Sequence, residues 1–152
     1  MVMWMAAGFT ALEAGSVRTK NVTEILTKNV ALFAVASIAF LLCGYGIMYG
    51  WNAPKTHSMY ADFFFQMVFV ATAMSIVSGA VAERKKLWSF LIFAAVFTAL
   101  IYPLEGAWTW GGGFLSKLGF FDFAGSGIVH MAGAAAALAA VIIIGPRDGK
   151  YD

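Results

Sequence analysis

Residues 128–144 read Ile-Val-His-Met-Ala-Gly-Ala-Ala-Ala-Ala-Leu-Ala-Ala-Val-Ile-Ile-Ile. This stretch is close to the roughly 20 apolar residues that a helix needs to cross the hydrocarbon core of a bilayer. Its run of Ala and Gly lets helix backbones approach closely, which is how membrane helices pack without a hydrophobic drive. It is therefore expected to sit centrally in a helical bundle. Three further runs of near-spanning length precede it, at residues 31–48, 63–81 and 87–104. A shorter one, residues 1–12, opens the chain. The expected fold class is thus all-α, a polytopic membrane bundle of about five spanning helices, with approximate spans 1–17, 30–49, 60–82, 87–104 and 124–144. The first of these reads as clipped, and the whole as a piece of a longer protein.

Composition supports a bilayer as the solvent. Of 152 residues 61% are hydrophobic and 12% charged, with mean hydropathy +0.80. A soluble domain of ordinary composition is about half apolar and a quarter charged. The formal net charge of +2, spread over separate clusters, argues against nucleic acid as a partner. The first nine residues lack the basic start and small-residue cleavage site of a secretory signal. Cys43 lies alone inside an apolar run, where it reads as a small buried hydrophobe.

Five spans place alternate connections on the same side of the membrane. The first, third and last carry Arg18, Lys20, Lys28, Arg84, Lys85, Lys86, Arg147 and Lys150, whereas the other two carry Lys55 and Lys117. Basic connections stay cytoplasmic, so the start of the chain is expected outside and residue 152 inside a cell (inner) membrane. Tyr49, Trp51, Tyr60, Trp108 and Trp110 then gather at the outer interface.

Five residues are candidates for function. His130 lies one turn into the last span; an intramembrane ionisable group marks either a pathway or a satisfied interhelical hydrogen bond. Asp122 precedes that span, where it either caps the helix or draws cations to an entrance. Trp110 is followed by Gly111, Gly112 and Gly113. It reads as an interfacial anchor or as an aromatic face held over a vestibule, where it attracts a cation. Phe65 and Phe69, spaced i, i+4, share one helix face, and Gln66 beside them must find a polar partner. At the other end, Glu83 and Arg84 read as an ion pair, and Glu13 either snorkels or pairs with a nearby cation. The pattern contains no phosphate-binding loop, no Cys/His metal cluster and no nucleophile–base set, so neither a cofactor nor an enzyme is expected.

Several of these segments together resemble the ammonium transporter (Amt/Mep/Rh) family. Residues 13–21, Glu-Ala-Gly-Ser-Val-Arg-Thr-Lys-Asn, are similar to the end of its first span. Residues 78–84, Ser-Gly-Ala-Val-Ala-Glu-Arg, resemble the exit of its third, and residues 110–113 its vestibule loop. The most specific match is Asp122-Phe-Ala-Gly-Ser-Gly-Ile-Val-His130, continuing to Gly145-Pro-Arg147. The resemblance covers residues 1–152 as the N-terminal portion of an ammonium transporter domain, with the second repeat absent. It implies eleven spanning helices built on two inverted five-helix repeats, assembled as homotrimers in the lipid bilayer with a pore in each protomer. A cytoplasmic regulatory protein is a further partner compatible with it.

Carried over by position, Trp110 would recruit the cation, Phe69 with Phe65 would gate the pore, Asp122 would support that site, and His130 would be the first of two pore histidines. The implied function is transport of ammonium, or methylammonium, which loses a proton and crosses a hydrophobic pore as ammonia. The rival is an ammonium-sensing membrane domain of a signalling fusion protein, which would need the same outer site.

Overall fold

The computed structural model describes residues 1–51, 54 and 56–147; Lys55, Lys150 and the position of residue 152 lie outside the described residues. Among the described residues all regular structure is helical. Helix α1 is Val2–Ser16. Helix α2 covers residues 22–49 and is continuous through a wider π-helical turn at Phe40–Gly44. Helix α3 is Met59–Ala80. Helix α4 covers residues 87–109 with a π turn at Phe97–Ile101. A short α5, Phe114–Lys117, leads to α6 at residues 126–144, whose first turns, Ser126–Met131, are also π-helical. Helices α2, α3, α4 and α6 are long and apolar enough to cross a membrane, whereas α1, at 15 residues, is shorter than a full span.

The centre of the bundle is α3, not α6. Val70, Ala71, Ala73 and Met74 have no accessible surface, because α1, α2 and α6 all pack against this helix. The Ala-rich segment of α6 buries only Gly133 and Ala137. Among the described residues the last helix is therefore not the central one. Its small residues bring one face against α3, and the rest of the helix stays open. Gly133 sets that approach: a Cβ there would lie 2.7 Å from the Ala73 carbonyl oxygen, so only glycine lets the two backbones meet. Cys43 is also corrected, since it is exposed on the surface of α2.

Pro103 explains one π turn. It has no N–H to donate into the preceding turn, and its ring needs space there. The wider turn at 97–101 comes immediately before it, a common remedy for a disturbed hydrogen-bond ladder. Gly44, inside the π turn of α2, lies against it: a Cβ would meet Pro103 Cγ and the Thr98 carbonyl oxygen at 2.8 Å each. The two irregular turns thus interlock where α2 crosses α4.

At the basic end of the bundle the ion pairs differ from the expected one. Glu83 does not pair with Arg84. Its carboxylate accepts hydrogen bonds from the Arg18 amide at 2.9 Å and the Asn21 side chain at 2.6 Å, and pairs with Arg18 Nε at 3.2 Å and Arg147 Nη1 at 3.1 Å. The Arg18 amide, followed by Asn21, pulls the Glu83 carboxyl down to about 2. Arg84 instead donates to the carbonyls of Ala80 and Gly145. These bonds tie the exits of α1, α3 and α6 together and hold Glu83 at φ 61, a conformation unfavourable for a residue with a side chain.

Deeper in the bundle, Glu13 pairs rather than snorkels. Its Oε2 lies 3.2 Å from Lys28 Nζ and accepts bonds from Ser78 Oγ at 2.9 Å and Asn29 Nδ2 at 3.2 Å. Lys28 also donates to the Ser78 carbonyl and lies 5.3 Å from the Phe90 ring centroid. Helix α2 therefore begins at Val22, well before its apolar run, because the charge at Lys28 is answered inside the bundle. Lys28 accordingly leaves the set of basic connection residues. Seven against two remains the same asymmetry.

Candidate functional site

At the opposite end, α4 runs into the loop of Gly111, Gly112 and Gly113. Gly112 takes φ 75, and the loop turns back so tightly that a Cβ on Gly113 would fall 2.7 Å from the Trp108 Cα. Glycine is required there by close approach. The turn leaves Trp110 pointing along the bundle, and its Nε1 donates to the Asp122 carbonyl at 2.7 Å. That bond fixes the indole across a gap of twelve residues. The Trp110 ring meets Phe69 edge to face, centroids 5.8 Å apart at 68°, and Phe69 meets Phe65 likewise, 5.0 Å apart at 79°. Edge-to-face pairs of this kind orient aromatic rings as well as burying them.

The three rings line one cleft of about 560 Å³, with Tyr49, Gln66 and Phe123 completing much of its wall. The amide of Gln66 and the phenol of Tyr49 are polar groups in this largely apolar wall. Aromatic faces around such a space attract cations by about 0.5–2 kcal/mol, more as water is excluded.

Asp122 sits behind the cleft and is buried. Its Oδ1 accepts from the amides of Gly125 at 2.9 Å and Ser126 at 3.0 Å, and its Oδ2 from Gly127 at 2.8 Å and Ile128 at 3.0 Å. Both carboxylate oxygens are thus spent on the free amides that open α6, which is the capping reading of this residue. Burial alone would raise its pKa, but the four amide donors together hold it below the usual aspartate value. Gly125 makes the turn possible: it is left-handed at φ 79, and a Cβ would fall 2.7 Å from Val129 Cγ2 and 3.2 Å from Trp110 Cη2.

His130 does not line this cleft. It sits on the π-helical opening of α6 with Nδ1 3.3 Å from the Gly125 carbonyl, and its side chain lies on the open face of the bundle. Of the five residues singled out by sequence, Trp110, Phe69 and Phe65 share one space, Asp122 braces it, and His130 stands apart. Tyr49 and Phe123 were missed as cleft residues. Tyr49 was legible only as a belt aromatic, and Phe123 only as a neighbour of Asp122.

An apolar helical bundle with an aromatic cleft at one end defines a multi-pass membrane protein. Among the described residues no group of three or more His, Cys, Asp or Glu side chains is placed to hold a metal ion. The Ammonium Transporter Family profile matches residues 1–152, and the chain belongs to that family. It is 46% identical over 176 aligned residues to the ammonium transporter Amt2 of Archaeoglobus fulgidus, covering 100% of this chain and 38% of the relative. It is 43% identical to a putative ammonium transporter of Synechocystis, covering 100% of this chain and 39% of that one. It is 39% identical to Amt2 of Haloferax mediterranei, again over 100% of the chain and 38% of the relative. The chain thus spans about two fifths of the length of the curated relatives it matches.

Proposed function

We propose that the protein to which these helices belong carries ammonium across a cell membrane, with the Trp110 end outside and the basic end in the cytoplasm. The observation that carries this reading is the Phe65–Phe69–Trp110 cleft, with its indole pinned by a hydrogen bond to the Asp122 carbonyl. Ammonium, a compact cation with four N–H donors, recovers on the ring faces part of what it loses in hydration. Past the phenylalanines an apolar passage makes the charged form costly, so the ion gives up its proton and ammonia moves on. The His130 imidazole, which can both donate and accept a hydrogen bond, relays that proton or the hydrogen bonds of the passing molecule. Its open position suits a residue whose partner comes from the other half of a pore. On this reading the protein is a transporter, not an enzyme, and works as a homotrimer of such protomers.

Methylammonium uptake by the full-length protein, in cells lacking their own ammonium transporters, tests the cleft. Trp110→Leu keeps an apolar side chain but removes the ring face. The half-saturating concentration is expected to rise about 2- to 30-fold, the equivalent of one cation–π contact. Unchanged uptake kinetics would remove Trp110 from the recruiting site. Saturable binding with no flux in the wild type would instead favour an ammonium sensor.

A further inference from the structure

A second cavity, about 230 Å³, lies between α1 and α3 at the basic end, opposite the aromatic cleft. Its wall includes Glu13, Ser16, Ser75, Gly79 and Arg147. The exposed Ser16 lies at its mouth, whereas Glu13 and Ser75 are 5% and 1% exposed. Among the described residues Glu13 Oε1 is buried and has no hydrogen-bond partner, although Oε2 of the same carboxylate has three polar neighbours. Such an atom is costly to leave unmatched.

The two hydroxyls explain what would match it. Ser16 Oγ donates its proton to the Leu12 carbonyl at 2.8 Å, and Ser75 Oγ to the Ala71 carbonyl at 2.9 Å. Each then presents only lone pairs to the cavity. Arg147, on the rim, is paired with Glu83, and Lys28 behind the wall is paired with Glu13, so the neighbouring cations are each answered by a carboxylate. Gly79 leaves the space open: a Cβ there would come to 3.8 Å from Glu13 Oε1.

We propose that this cavity is a second ammonium-binding site, on the cytoplasmic side, with Glu13 Oε1, Ser16 Oγ and Ser75 Oγ as its acceptors. A site made of acceptors selects a guest made of donors, and ammonium has four N–H groups and no lone pair. The chain would then hold its substrate at both ends, on an aromatic surface outside and on oxygen atoms inside. This rests on the reading of ammonium as substrate.

The test uses the purified full-length protein and its melting temperature against increasing ammonium chloride, with sodium and potassium chloride as controls. Trp110→Leu weakens the outer site and is expected to keep a saturable, ammonium-dependent rise in melting temperature at concentrations below those the weakened outer site needs. Adding Ser75→Ala, which deletes one acceptor, should weaken that response about 2- to 10-fold. Adding Gly79→Ala, whose methyl fits at ordinary contact distance, should weaken it comparably by covering Oε1. Glu13→Gln is avoided as the main variant because it also disturbs Lys28. The proposal is overturned if the response vanishes with Trp110→Leu alone, if potassium matches ammonium, or if Ser75→Ala and Gly79→Ala leave it unchanged. No ammonium response in the wild type would sink the substrate reading as well, which separates the two failures.

Discussion

Asp122→Ala is expected to destabilise the full-length protein by about 2–4 kcal/mol and to bring methylammonium uptake close to background. Four backbone amides, those of Gly125, Ser126, Gly127 and Ile128, lose their acceptor together. Gly125 and Ile128 are buried, so water cannot easily replace it. The loop between Trp110 and α6 then has no fixed shape. The Trp110 anchor would follow, because the carbonyl that accepts from its Nε1 belongs to Asp122 itself. Asp122→Asn should fall between wild type and alanine, since one oxygen can still accept while the amide nitrogen faces two N–H donors. Denaturant or thermal unfolding in detergent measures the first effect, and uptake the second. A stable Asp122→Ala protein with an ordered vestibule would contradict the capping role.

The same carboxylate predicts a pH dependence. Its folded-state pKa is lowered, so the unfolded chain binds the proton more readily than the folded one. The stabilisation is present above the ordinary aspartate value, near pH 4, and is lost as pH falls from there through the lowered folded value. Alanine at position 122 should flatten that part of the stability curve.

The second large effect is expected at Lys28. Lys28→Met leaves Glu13 buried with no cation, and breaking a buried pair in this way costs about 3–5 kcal/mol. The double variant Lys28→Met with Glu13→Gln should recover most of the loss, because both charges are then gone and the side-chain volumes are similar. The coupling between the two sites is read from a double-mutant cycle on the unfolding midpoints. Additive effects would mean that the 3.2 Å contact contributes nothing beyond packing.

These pairs also mark where sequence reading stops. The long helices were legible because a bilayer imposes length and apolarity, and both are written in composition. The Asp122 cap was legible because its partners lie within six residues. By contrast, the partner of Glu13 depends on the relative rotation of α1 and α2, which no local pattern fixes, and the sequence left pairing and snorkelling open. Glu83 lies next to Arg84 in sequence, yet its left-handed backbone turns its carboxylate toward Arg18 and Arg147, more than sixty residues away in either direction. The π turns at 40–44 and 97–101 differ little from ordinary helix in composition, and only Pro103 hints at one of them. Within the described residues α6 buries one face, because small residues permit close packing there without requiring it on the others. In the cleft, the i, i+4 spacing of Phe65 and Phe69 was visible, but the arrival of Trp110 against Phe69 depends on how the glycine loop folds back.

The proposed path runs from the aromatic cleft to His130, the residue of it that would lie inside the membrane. In this chain the imidazole is on the open face, with one polar contact, to the Gly125 carbonyl at 3.3 Å, so truncating it should leave the bundle intact. The most direct measurement is methylammonium uptake by full-length His130→Ala in cells without their own ammonium transporters, at matched membrane abundance. Uptake at the level of cells without the protein is the result expected. Uptake equal to wild type would contradict that path, because the passing substrate would then not depend on His130.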